Sequence, residues 1–200
     1  IDTGSVRIKR YNPRLRIERL QVEMVSQASG NQRRGRCGRV ADGICVRLYS
    51  REAFEAAEPF TPPEIQRDSL ADVILTMKMM SLPPIEDFPF VEPPRPPLIR
   101  DGYKTLLEIG ALDDNKRLTA IGRQIGRFPV DPQIARMIVQ GHREHCLDEI
   151  LVIAAALGIQ DPRERPADHR EKADAAQARW KDARSDFLTL LNLWRDWQDI

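Results

Sequence analysis

The chain has 200 residues, 42% of them hydrophobic and 30% charged, with a formal net charge of +1. That is enough apolar material for a buried core in one or two domains or pieces of domains. No run of about 18 apolar residues offers a membrane span, and residues 1–12 lack the charged-then-apolar order of a signal peptide.

The near-neutral total conceals an asymmetry. From Ile1 to Arg51 there are twelve Lys/Arg against four Asp/Glu, so this quarter carries +8 and the remainder −7. Charge separated in this way builds a local anion-attracting surface without making the whole protein basic. Cys37, Cys45 and Cys146 fit no zinc or redox spacing, which predicts reduced thiols, a cytoplasmic location and no metal site.

The sequence opens on Ile1-Asp2-Thr3-Gly4 without a methionine; this reads as a buried strand entering a turn and predicts a fragment boundary. Ser5 to Val25 alternates apolar and charged residues around Tyr11-Asn12-Pro13, the pattern of a β-hairpin with a basic tip of Arg10, Arg14 and Arg16. Ser26 to Ser29 offers capping side chains before a helix that includes Asn31 to Val40, and Asp42-Gly43 turns the chain into a strand, Ile44 to Tyr49. Strand, helix and strand in this order fit the end of an α/β sheet.

Ser50 caps a short helix through Ala57, and Pro59, Pro62 and Pro63 mark a boundary. Leu70, Val73, Ile74, Met77 and Met80 recur at helical spacing within Ile65 to Met80, and a stiff proline-dense linker follows, Pro83 to Pro97. Next come a helix from Leu98 to Ile109 ended by Gly110 and a two-stranded wing, Ala111-Leu112 and Arg117-Leu118-Thr119, which suggest a winged helix. Beyond Phe128-Pro129 the chain reads as helices: Pro132 to about Arg143, Leu147 to Leu157 (apolar on most sides, hence buried), and Lys172 to Asp199.

The most informative stretch is Gln32-Arg33-Arg34-Gly35-Arg36-Cys37-Gly38-Arg39. On a continuous helix Gln32, Arg36 and Arg39 project from one face, with Gly35 leaving a gap at its edge. Two permanently charged, planar guanidinium forks beside an amide suit a polyphosphate. By composition alone an arginine-rich octapeptide is more often a solvated patch. Two glycines inside the pattern argue against that, because a solvated face gains nothing from the helix propensity they cost.

This octapeptide resembles motif VI, QRxGRxGR, of the DEAH-box RNA helicases. Tyr11-Asn12-Pro13-Arg14, Ser26-Gln27-Ala28-Ser29 and Arg47-Leu48-Tyr49 are similar to the same family. So are Phe128-Pro129-Val130-Asp131-Pro132 and Asp161-Pro162-Arg163-Glu164-Arg165-Pro166, while Asp186-Phe187-Leu188 and Asn192-Leu193-Trp194 resemble its bacterial branch. The resemblance implies a RecA-like end at 1–58 with hairpin and motif VI, a winged helix at 59–127 and the start of a ratchet-like helical domain at 128–200. It also implies Gln32, Arg36 and Arg39 as nucleotide-binding and catalytic residues, the two arginines as fingers, and Arg33 at an interdomain contact. The hairpin, with Arg10, Arg14 and Arg16, would stand beside the RNA.

The implied activity is ATP-dependent, 3′-to-5′ RNA unwinding, with ATP and Mg²⁺ as cofactors and with RNA and protein cofactors as partners. The sequence has neither a phosphate loop nor an Asp-Glu-Ala-His motif, so both cofactors would be held mainly by an N-terminal part of the parent, and this chain alone is expected to be inactive. An ATP-independent RNA-binding or adaptor-docking module is the alternative. A winged-helix DNA regulator fits less well, because the basic charge precedes the winged helix.

Other residues read more plainly. His142, His145 and Cys146 lack a further ligand and suit a solvated or capping role. Met77, Met79 and Met80 suit helix packing, Trp194 the core, and Trp180 and Trp197 either packing or base stacking.

Overall fold

The computed structural model describes residues 1–13, 15, 17–159 and 161–199. It is mainly helical with a small two-stranded sheet, and it divides into two compact units, Ile1–Thr105 and Leu106–Ile200.

In the first unit the alternating segment forms the expected antiparallel hairpin, β1 (Ser5–Asn12) with β2 (Ile17–Met24), in a register pairing Ser5 with Met24 and Asn12 with Ile17. Ser26 then caps α1 (Gln27–Arg34), and Ser50 caps α2 (Arg51–Ala56), each hydroxyl accepting from the backbone N–H three residues on. The expected strand from Ile44 to Tyr49 does not form along its length. It meets the start of the chain in one parallel bridge, Asp2 with Arg47, flanked by Asp2 N–H to Val46 O at 2.8 Å and Leu48 N–H to Asp2 O at 2.9 Å.

The helix expected to begin near Ile65 is shorter, α3 (Ala71–Met79), after a 3₁₀ turn at Glu64–Gln66. Of the positions its spacing picks out, Leu70, Ile74 and Met77 are buried, Val73 is half-buried, and Met80 lies outside the helix and is exposed; Leu75 is buried as well. Each such fully buried aliphatic side chain contributes about 1.5–3 kcal/mol. The proline-dense linker leads into α4 (Pro96–Glu108), where Gly102 allows close approach: a Cβ there would sit 2.8 Å from Ile74 Cδ1.

The second unit begins with the end of α4, which Gly110 terminates at φ +71°. The wing is reduced to a single bridge, Leu112 with Leu118, around a turn in which Asp113 accepts from the N–H groups of Asn115 and Arg117. Thr119 caps α5 (Ala120–Ile125), and α6 (Pro132–Arg143) starts with Asp131 as its cap. In α7 (Leu147–Gly158) Ile153 and Ala154 are buried, but Leu151 and Leu157 are 44% and 46% exposed, so the helix is half-covered rather than enclosed.

The long last helix is divided. α8 (Arg170–Gln177) and a 3₁₀ turn precede α9 (Asp186–Gln198), which Ser185 caps. Asp182 and Ser185 make the break. Asp182 pairs with Arg184, and its own N–H donates to the Thr189 hydroxyl at 3.0 Å, so local polar bonds replace helix continuation.

Among the glycines of this unit Gly122 has the least room: an added Cβ would lie 2.1 Å from Ala111 O. Gly122→Ala gains at most about 1 kcal/mol of helix propensity. It should nevertheless destabilise the protein by about 1–3 kcal/mol, since a backbone carbonyl must move. Thermal unfolding of this chain checks it, and an unchanged Tm would contradict the packing of α5 on the wing.

Candidate functional site

The motif-bearing segment is organised around Asp2, which is only 4% exposed. Its carboxylate accepts from Gly4 N–H at 3.0 Å, from the Tyr49 hydroxyl at 2.8 Å and from Arg33 Nη1 at 2.9 Å. The second arm of Arg33, Nη2, donates to Ser5 O at 3.1 Å. Burial pushes the Asp2 carboxyl upward, but these three hydrogen bonds and the Arg33 charge outweigh it and hold the group below the usual carboxylate range. Burial and the neighbouring Asp2 in turn push the Tyr49 hydroxyl up, which keeps it a donor through the neutral range.

Glycine makes this close packing possible at two places. Gly4 has φ +75°, and a Cβ there would lie 2.5 Å from Tyr49 Cδ1; one at Gly30 would meet Phe54 Cε2 at 3.1 Å and Tyr49 Oη at 3.3 Å. The Arg47 guanidinium lies 3.9 Å from the Phe54 ring centroid and donates to Asn31 Oδ1 at 3.0 Å, a cation–π and hydrogen-bond contact against the outer side of α1.

α1 stops at Arg34, and this corrects the geometric premise drawn from the motif. Gly35 is its C-cap, Arg36 and Cys37 N–H groups bond back to Arg33 and Arg34 carbonyls, and Gly38 adopts φ +84°. The two glycines therefore end the helix and turn the chain instead of leaving a gap in a helical face. Gln32 sits on the last turn of α1, and Arg36 and Arg39 on the turn that follows, so the three do not share one continuous helical face. All three are exposed, and among the described residues none of their side chains has a hydrogen-bond or ion-pair partner. Arg33, which the resemblance places at an interdomain contact, is tied within its own unit to Asp2.

The hairpin is fastened by backbone and side chain. Tyr11 N–H donates to Arg67 O at 2.7 Å, Arg67 Nη1 to Lys9 O at 3.1 Å, and the Tyr11 hydroxyl to Asp101 Oδ2 at 2.5 Å. Arg10, expected to face RNA, grips Glu23 with both arms, Nε to Oε1 and Nη2 to Oε2, the latter at 2.7 Å. That pairing holds the Glu23 carboxyl below its ordinary range. Arg14 and Arg16 lie outside the described residues. Leu20 and Val22, on one face of β2, are 63% and 68% exposed.

The donor set around α1 suits phosphate oxygens. It supplies no cluster for a divalent ion: among the described residues no group of three or more His, Cys, Asp or Glu could hold a metal. In the second unit a groove of about 570 Å³ runs between α7 and α9, lined by Leu151, Ala155, Ile159, Leu190, Trp194 and Trp197. Trp194, expected in the core, is 41% exposed there and lies with Trp197 at 5.0 Å between ring centroids. Trp180 donates to Asp196 Oδ2 at 3.0 Å under the Arg179 guanidinium, a packing role.

Sequence reasoning missed Asp2 and Tyr49. Tyr49 carried only a family resemblance and Asp2 only its place before a turn, and nothing in one sequence pairs residues 31 or 47 positions apart.

Residues 103–130 match the helicase-associated domain (HA2), winged-helix, and residues 131–190 the helicase-associated domain (HA2), ratchet-like. The chain is 48% identical over 206 residues to the ATP-dependent RNA helicase HrpA homolog of Haemophilus influenzae, covering 100% of this chain and 16% of that protein. It is 48% identical over 199 residues to Escherichia coli HrpA (97% of this chain, 15% of that protein). The human probable ATP-dependent RNA helicase DHX34 is 37% identical over 200 residues (100% and 18%). The chain thus spans roughly a sixth of these relatives.

Because the folded carboxyl of Asp2 titrates below its ordinary value of 3.8, its contribution to stability is complete above about pH 5 and is lost as pH falls through the folded value. Asp2→Asn should therefore destabilise this chain at pH 7, with a penalty that shrinks as the pH drops below about 4. Urea unfolding across pH measures it; a penalty independent of pH would show that the carboxylate charge is not what binds Arg33 and Tyr49.

Proposed function

Because this chain belongs to the DEAH-box ATP-dependent RNA helicase family and carries its helicase-associated winged-helix and ratchet-like domains, we propose that it is a segment of an enzyme that couples nucleotide hydrolysis to RNA unwinding. In this reading residues 1–58 are the end of a RecA-like motor domain, 59–127 the winged helix and 128–200 the beginning of the ratchet. Gln32, Arg36 and Arg39 face the nucleotide. ATP and Mg²⁺ are held mainly by parts of the parent outside this chain, which itself contains no phosphate loop or Asp-Glu-Ala-His sequence.

The observation that carries the reading is the contrast among the arginines of the motif. Arg33 is engaged on both arms, whereas Arg36 and Arg39 stand exposed and, among the described residues, unpaired on a glycine-bounded turn. An unpaired guanidinium fork keeps its donors for an incoming anion. A solvated patch would not need its neighbour fixed to a buried carboxylate. When a nucleotide is bound, such forks stabilise the negative charge that spreads over the transferring phosphoryl group.

In the intact parent, Arg39→Ala should lower kcat for ATP by on the order of 10³ or more while leaving nucleotide-free RNA affinity nearly unchanged. Arg36→Lys should also fail, since lysine keeps the charge but not the planar fork. Steady-state kinetics at saturating RNA decide it: a normal kcat in Arg39→Ala would remove the motif from the catalytic site.

The hairpin supplies RNA affinity through phosphate contacts of Arg10, Arg14 and Arg16. Arg10 must exchange Glu23 for a phosphate to take part. Replacing all three by Ala should reduce the slope of log K against log salt by roughly 0.7 for each phosphate that is no longer neutralised. An unchanged slope would place the RNA elsewhere.

A further inference from the structure

We infer that Arg33 is the positioning residue of the motif: held by the buried Asp2 carboxylate, it fixes where Arg36 and Arg39 stand and does not itself touch the nucleotide. The inference rests on the reading that Arg36 and Arg39 act on a bound nucleotide, and it assigns the third arginine a distinct task.

The geometry engages both terminal nitrogens of Arg33 inside the fold. Nη1 is used by Asp2 Oδ1 and Nη2 by Ser5 O. Its anchor is fixed in its own right, because Asp2 is bonded through its backbone to Val46 and Leu48 and through its carboxylate to Gly4 and Tyr49. Arg33 is the next-to-last residue of α1, and the chain leaves the helix at Gly35. The first turn of α1 has separate supports, the Ser26 cap and the packing of Gly30 beneath Tyr49 and Phe54.

The end of α1 has the Arg33 clamp. Beyond it the chain is shaped by a tight turn in which an added Cβ on Gly43 would come within 2.9 Å of Gly38 N. That turn carries Arg36 and Arg39, neither of which has a side-chain partner among the described residues. Release of Arg33 therefore leaves the helix started and the turn shaped, but frees the turn to shift as a unit. A misplacement of about 1 Å at catalytic groups costs on the order of 10²-fold in rate, so the clamp matters to chemistry before it matters to folding.

The test uses the intact parent helicase and two probes, ADP alone and ADP with aluminium fluoride, a mimic of the transferring phosphoryl group. Arg33→Ala should weaken ADP–aluminium fluoride binding and lower kcat by on the order of 10- to 100-fold. Affinity for ADP and for nucleotide-free RNA should stay within about twofold, a split that only transition-state contacts produce. In an Arg36→Ala/Arg39→Ala background the same change should cost nothing further, since it acts through groups already removed.

Asp2→Asn provides a second route to the same outcome: its single amide oxygen can still accept from Gly4, and its NH2 can donate to the Tyr49 oxygen, but it lacks the charge that holds Arg33. Equal losses in both backgrounds, or loss of ADP affinity in both Arg33→Ala and Asp2→Asn, would make the pair a general structural support and overturn the inference. So would unchanged analogue affinity in Arg33→Ala. If Arg36→Ala/Arg39→Ala itself binds the analogue and turns over normally, the nucleotide reading of the motif falls, and this inference falls with it.

Discussion

A carboxylate sealed from water keeps its charge only where donors surround it, and the first unit is arranged to meet that condition at Asp2. Three donors come from three places in the chain: a backbone N–H two residues on, a hydroxyl at Tyr49 and a guanidinium at Arg33. The asymmetry of buried ion pairs gives the arrangement its force. Forming such a pair contributes little net stability, and losing the half-exposed Arg33 leaves Asp2 with two of its three donors, whereas losing the buried carboxylate strips all three donors of their acceptor at once. The start of the chain, the segment around residues 46–49 and the end of α1 are therefore locked to one another, though no regular sheet joins them.

That lock explains the distribution of glycines better than helix propensity does. At Gly4 a side chain would collide with the Tyr49 ring, and at Gly30 it would crowd Phe54 and the Tyr49 hydroxyl, so both glycines serve the pocket that delivers that hydroxyl to Asp2. Gly35 and Gly38 serve the exit from α1. From the sequence the second pair looks like an interruption in a basic run. In the fold one pair brings the anchor in and the other swings the unpaired arginines out.

Local signals were legible where the physics is local. Ser26 and Ser50 as caps, Asp131-Pro132 at the start of α6, Gly110 at the end of α4 and the alternating hairpin all depend on neighbours within a few residues. Sequence patterns misled where a long periodicity concealed a local stop. A 100° spacing joined Gln32 to Arg39 across two glycines, and a helical composition joined Lys172 to Asp199 across Asp182 and Ser185, whose side chains bond the backbone and divide α8 from α9. The exposure of α7 and Trp194 was hidden for a different reason. Periodicity reports which face is apolar and is silent on whether anything covers it.

The same distinction changes what the +8 of residues 1–51 means. Counted as charge it is a diffuse basic surface. Counted as available donors it is about half among the described residues, because Arg10 is bound to Glu23, Lys9 to Glu18, Arg33 to Asp2 and Arg51 to Glu55, and Arg47 is held over an aromatic ring. Ion pairs as exposed as Lys9–Glu18 contribute little stability, yet they compete with any incoming phosphate for the same nitrogens. Arg34, Arg36 and Arg39 carry no such competitor among the described residues and lie within six positions of one another. An anion approaching this quarter of the protein thus meets half of its described Lys and Arg side chains already committed, and finds a cluster of three open guanidinium forks at the end of α1, beginning one residue past the arginine that the buried carboxylate holds in place.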